Sequence, residues 1–134
     1  MKLIISRSAL AALFVLAGAL HFLFPAMYMK IVPPYLNPHF DLVIAGRAVS
    51  LPPLLIWVSG AAEIAGGIGL LFPQTRAAAA WGLVALLVAV FPANFYMAQA
   101  HVPFPGITGQ TWAQWARLPL QLLLIWWVWS CRRG

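Results

Sequence analysis

The sequence predicts an all-α integral membrane protein, a four-helix bundle with a long first outer loop. Two features carry that expectation: a shortage of charge and four apolar segments of membrane length. Of 134 residues, 63% are hydrophobic and 7% are charged, with a mean hydropathy of +0.90. Soluble chains carry about 25% charged residues, so two acids, Asp41 and Glu63, with eight Lys and Arg cannot clothe a globule in water. The outer surface must meet lipid. The length suits one transmembrane domain over residues 1–134 and no more.

The first span is expected over residues 8–24. Lys2 and Arg7 precede it and Ala17, Gly18 and Ala19 fall near its end, a pattern shared with signal peptides. Three more apolar segments follow, so an uncleaved first span is expected. Residues 25–50 form a connector interrupted by Pro25, Pro33, Pro34 and Pro38. Tyr28, Ile31 and Val32 suit a short interfacial helix stopped by Pro33 and Pro34. Asp41 to Ser50 reads as a second short helix, and the whole connector as a cap over the bundle. The second span is expected over 51–72 and the third over 77–98, each near the roughly 20 residues that cross the hydrocarbon. Pro73, Gln74, Thr75 and Arg76 join them in a tight turn. The fourth, over 112–131, must take in Arg117, with Trp112 and Trp115 at one interface and Trp126, Trp127 and Trp129 at the other.

Four crossings put both termini and the Arg76 turn on one side, with Lys2, Arg7, Arg76, Arg132 and Arg133. Lys30, Arg47 and Arg117 fall on the other. The excess favours cytoplasmic termini, in a multi-pass protein of a bacterial cytoplasmic membrane. The net charge of +6 is scattered singly, without the basic stripe of a nucleic-acid binder, so the partner is the lipid bilayer. Cys131 is the only cysteine, which excludes an internal disulfide or cysteine metal cage; its thiol is expected near the membrane surface at a helix end.

Glu63 is the most informative residue. A charge at the centre of a span costs about 2.5–3.5 kcal/mol on insertion scales, so Glu63 should face the bundle and find a partner. Gly60, Glu63 and Gly67 share one helical face, open to close approach by a neighbour. Candidate partners are His21, Asn94, Arg117 and Gln121. Pro92 and Pro119 free the carbonyls of Val88 and Trp115 at similar depth. Together these predict a polar pocket open to the outer face and floored by Glu63. The competing expectation is a set of structural locks with no ligand. His21, His39, His101 and Asp41 fall on the outer side, but their spacing matches no ligand motif and no metal site is expected. No phosphate loop, Rossmann glycines, HExxH or GxSxG occurs.

Several motifs, in order along the chain, resemble the DoxX-like family of small four-helix membrane proteins. They begin with Ala17-Gly18-Ala19-Leu20-His21-Phe22, Pro25 and Ile31-Val32-Pro33-Pro34-Tyr35-Leu36. They continue with Ser59-Gly60-Ala61-Ala62-Glu63-Ile64, Gly69-Leu70-Leu71-Phe72-Pro73 and Ala79-Ala80-Trp81-Gly82-Leu83. Val88-Ala89-Val90-Phe91-Pro92-Ala93-Asn94 and Arg117-Leu118-Pro119-Leu120-Gln121 complete the series. The stretch from His39 to Ser50 is longer than in the members it most resembles. The resemblance implies a four-helix bundle and an association with redox physiology, some members being subunits of quinone-linked oxidoreductases. It also carries over His21, Glu63, Asn94, Arg117 and Gln121 as the ligand-binding or proton-handling set, with no catalytic residue assigned.

The leading expectation is therefore an accessory or quinone-interacting subunit of a membrane redox system, not a catalyst on its own, with quinone as the candidate cofactor. A redox partner subunit would supply the electrons. One alternative is a small proton-coupled carrier or permeation protein acting as a homo-oligomer. Another is a structural or interaction subunit without a small-molecule ligand.

Overall fold

Apolar runs become helices in lipid because every backbone N–H and C=O must be satisfied within its own segment. The computed structural model describes residues 2–36, 41–44, 46–103 and 111–133. It holds four long helices: α1 (Lys2–Leu23), α3 (Leu51–Gly69), α4 (Arg76–Gln99) and α5 (Thr111–Ser130), with a short α2 (Pro25–Met29) between the first two. Among the described residues, Ile4–Leu23, Leu51–Gly69 and Arg76–Gln99 are long and apolar enough to cross a membrane. Helix α5 has the length, 20 residues, but Gln114, Arg117 and Gln121 dilute its hydropathy.

Consecutive long helices run antiparallel. Gly18 meets Gly60 while Ala11 meets Gly67, and Gly66 meets Leu83 while Gly69 meets Ala79. Helix α5 pairs with α4 through Gln121 to Leu87 and Arg117 to Met97. The ring closes at the end that carries both termini, where the Arg7 guanidinium donates to the Cys131 and Arg133 carbonyls. The last carbonyls of a helix have no partner within it, so Arg7, buried inside the bundle, caps the end of α5 from α1. The core at this end is built from Leu10, Phe14, Leu70, Leu83, Leu87 and Val128. Outward, Leu13, Leu16 and Leu23 are 46%, 66% and 68% exposed, which makes an apolar wall suited to lipid.

One expectation needs correction here. Residues 41–50 are not a helix: β1 (Asp41–Ile44) and β2 (Arg47–Ser50) form an antiparallel hairpin pairing Leu42 with Val49 and Ile44 with Arg47. The β-branched Val43, Ile44 and Val49 favour extended backbone. Gly46, at φ 76, supplies the positive φ that a tight hairpin reversal requires. Cys131 lies just past the end of α5, and its thiol faces the bundle. It is fully buried, with Sγ 3.5 Å from Ser6 Oγ on α1.

Proline sets the outer connections. Pro25 opens α2 and Pro52 lies in the first turn of α3, positions where a helix has no use for the missing N–H. Helix α2 ends at Met29, before Ile31 and Val32, and a 3₁₀ turn at Pro34–Leu36 follows. The turn between α3 and α4 is closed by Thr75 Oγ1 donating to Gly69 O at 2.8 Å and Arg76 Nε to Leu70 O at 3.2 Å.

The tightest approach is between α1 and α3. A methyl group at Gly60 would lie 2.7 Å from His21 Cβ and 3.0 Å from Gly18 O; one at Gly18 would lie 2.5 Å from Gly60 O. Only glycine fits where two backbones come this close. Gly60→Val is expected to lower the thermal midpoint of the detergent-solubilised protein, at a cost of about 1–3 kcal/mol or more. Gly82, where an added Cβ meets nothing within 4 Å, is the control: Gly82→Ala should leave the midpoint unchanged or raise it.

Candidate functional site

The Gly18–Gly60 contact brings α1 and α3 close enough for short side chains to meet across it. His21 and Glu63 do so, both buried, with His21 Nδ1 3.5 Å from Glu63 Oε2. The same Nδ1 lies 2.9 Å from Ala17 O. A carbonyl only accepts, so Nδ1 carries the proton. Nε2 is then the ring position left for a ligand or a second proton. Glu63 lies opposite Gly18, one turn inside His21. Among the described residues its buried Oε2 has no hydrogen-bond partner.

The expected open mouth is covered. Helix α2 folds back at Pro25 and lays the Tyr28 ring on the His21 imidazole, with centroids 3.8 Å apart and planes 24° from parallel. Burial pushes the Tyr28 phenol above its ordinary range. The Glu63 carboxylate adds to that push and the Arg117 guanidinium opposes it. Tyr28 therefore links the α1–α3 pair electrostatically to α5. Arg117 also reaches α4, with Nη1 3.6 Å from the Met97 sulfur.

Asn94 and Gln121 serve a different purpose. Asn94 Nδ2 donates to Gln121 Oε1 at 3.0 Å, and Gln121 Nε2 donates to Leu87 O at 2.6 Å. The buried amide thus has both ends engaged, clamping α5 to α4 beside Pro92. The carbonyl it takes is Leu87, one residue before the Val88 carbonyl that Pro92 was expected to free. The five residues singled out from the sequence therefore divide. His21 stacks on Tyr28, whose phenol feels Glu63 and Arg117, while Asn94 and Gln121 form a lock.

Sequence reasoning missed Tyr28 as a site residue. Its signal was the spacing of seven from His21, two helical turns, with Pro25 between them. It also missed Gln114, buried on α5, which donates from Nε2 to Val102 O at 2.7 Å and whose Oε1 is buried without a partner among the described residues. His39 lies outside the described residues. Among the described residues no three of His, Cys, Asp or Glu gather as a metal site would require.

These features define a multi-pass helical integral membrane protein with a polar cluster inside the bundle. The chain belongs to the family described as Domain of unknown function (DUF8561), whose model matches residues 10–132. No curated protein and no solved structure matches the chain.

Gln121→Leu leaves the Leu87 carbonyl and the Asn94 amide unpaired in an apolar setting. It should destabilise the bundle by about 1 kcal/mol, within the span measured for interhelical hydrogen bonds in membranes, read as a lower thermal midpoint. For Tyr28, burial makes the folded state hold the phenolic proton more tightly than the unfolded chain, whose phenol titrates near 10.0. That contribution to stability is full below pH 10.0 and is lost as the pH rises through the raised value. Ultraviolet titration should show one phenol ionising above the ordinary range, absent in Tyr28→Phe.

Proposed function

We propose that the protein is a four-span subunit of DoxX-like type that binds the head group of a quinone-class lipid within the bundle. The observation that carries the reading is the buried Glu63 Oε2, unpartnered among the described residues, set 3.5 Å from His21 and beneath Tyr28. A buried polar atom without a partner costs about 1–3 kcal/mol, and a ligand hydroxyl at this point would remove that cost. A quinone supplies a carrier of electrons and protons with hydrogen-bonding oxygens on an apolar body. Arg117 is a donor suited to its carbonyl oxygens, and His21 Nε2 accepts from its hydroxyl. Glu63 accepts from a hydroxyl or, when protonated, donates to a carbonyl.

The electrons come from a redox partner subunit, since a chain with one cysteine cannot hold a four-cysteine iron–sulfur cluster. Helix α5 is read as the fourth crossing. At 20 residues it is about 30 Å long, and its two ends carry Trp112 and Trp129. The basic excess at the terminal end supports both termini in the cytoplasm. The polar cluster then lies toward the opposite face, beneath α2.

Glu63→Gln keeps the volume and removes the ionisable oxygen. In lipid nanodiscs it should weaken binding of a short-tailed ubiquinone, read by tryptophan fluorescence quenching, by roughly tenfold, the weight of one hydrogen bond to a charged group. Its thermal midpoint should match or exceed that of the parent. Equal affinity in a correctly inserted Glu63→Gln protein would sink the quinone reading.

A further inference from the structure

The segment that covers the polar cluster is a strap held at its two ends. Phe24 continues α1, its N–H donating to Leu20 O at 2.9 Å, and Pro33 is fully buried at the far end. Between them, no residue from Pro25 to Val32 is buried. Helix α2 lies in this stretch and touches both α1 and α3. Backbone bonds along the strap stay within it: Met27 N–H donates to Phe24 O, Lys30 to Met27 O and Ile31 to Tyr28 O. Such a segment lacks the buried apolar contacts that resist local opening.

Phe24 is the turning point. At φ −131 and ψ 53 it is neither helical nor fully extended, and its side chain does not cap α2. Pro25 follows without an N–H, so it cannot continue the hydrogen-bond ladder of α1. The strap meets the cluster at Tyr28, whose ring centroid lies 3.8 Å from that of the His21 imidazole.

Two opposing contributions balance on this contact. The aromatic stack favours the strap held down. The same cover leaves Glu63 Oε2 buried, with no hydrogen-bond partner among the described residues, and water would supply the missing donor. Water cannot enter between α1 and α3 without parting the Gly18–Gly60 contact, where the two backbones already touch. The strap is the weaker barrier.

We propose that α2 is a lid over Glu63, latched by the Tyr28–His21 stack and lifting at the Phe24–Pro25 hinge to admit water from the face opposite the termini. The Pro33 anchor confines the movement to residues 25–32, while α1 and α3 keep their places. Opening hydrates the carboxylate, and closing dries it again. The lid acts whatever molecule the cluster holds, so it stands or falls apart from the quinone reading.

Aqueous access to Glu63 tests the lid. The full chain in nanodiscs without quinone is treated at fixed pH with a water-soluble carbodiimide and glycine ethyl ester. Peptide mass spectrometry reads the rate at which Glu63 is modified. Tyr28→Ala removes the latch and should raise that rate about tenfold, the upper weight of an aromatic pair. Tyr28→Phe keeps the ring and should stay within about twofold of the parent. Pro25→Gly loosens the hinge with the latch intact and should raise the rate about threefold. Gln121→Leu, which loosens the α4–α5 clamp away from α2, should leave the rate at the parent's value. A Tyr28→Ala rate equal to the parent's would overturn the lid; if circular dichroism shows that this variant has lost helix, the Pro25→Gly rate decides in the same way. Equal acceleration by Gln121→Leu would also overturn it, because water would then enter as the whole bundle loosens.

Discussion

The close crossing of α1 and α3 at Gly18 and Gly60 governs the rest of the architecture. Lipid tails are as apolar as the helix surfaces they cover, so helices in a bilayer gain little from the hydrophobic effect and must gain from contact. Two glycines without side chains let the backbones approach until His21 Cβ lies against Gly60. That distance sets the depth at which Glu63 meets His21. A bulkier pair would separate them and leave a carboxylate alone in hydrocarbon. The polar site is thus a consequence of a packing contact.

Polar groups in this bundle have two fates, and the difference is whether their hydrogen bonds close within the protein. Gln121 closes both of its own, to Asn94 and to Leu87 O, and so holds α5 against α4 where Pro92 interrupts the helix. Arg7 likewise spends donors on the Cys131 and Arg133 carbonyls, just past the end of α5. Glu63 does not close: one oxygen remains buried and unpartnered among the described residues.

Much of this was legible in the chain. The charge shortage and the long apolar runs identify a multi-pass helical membrane protein, because a backbone in lipid has few other options. The positions of Glu63, Gly60 and His21 announced a polar interior, because an acid within a span must turn inward. The hairpin at 41–50 was misread because a short segment with mixed polarity has no periodicity strong enough to separate a helix from paired strands. Cys131 and Arg7 looked like interfacial residues. They are buried because the two chain ends meet, a contact across about the whole length of the sequence that no local pattern encodes.

Residue types and their spacing along each helix determined that the chain enters the membrane, where its spans lie and which side chains cannot face lipid. The tertiary structure alone decided how those side chains pair. Helical periodicity defines the face a residue occupies, but the rotation and depth of one helix against another come from packing between distant segments. On that basis His21 stacks on Tyr28, whose phenol feels Glu63 and Arg117, and Asn94 and Gln121 become a clamp. Glu63 thus moves from an acid of uncertain partner to a buried carboxylate held between two helices under an aromatic lid.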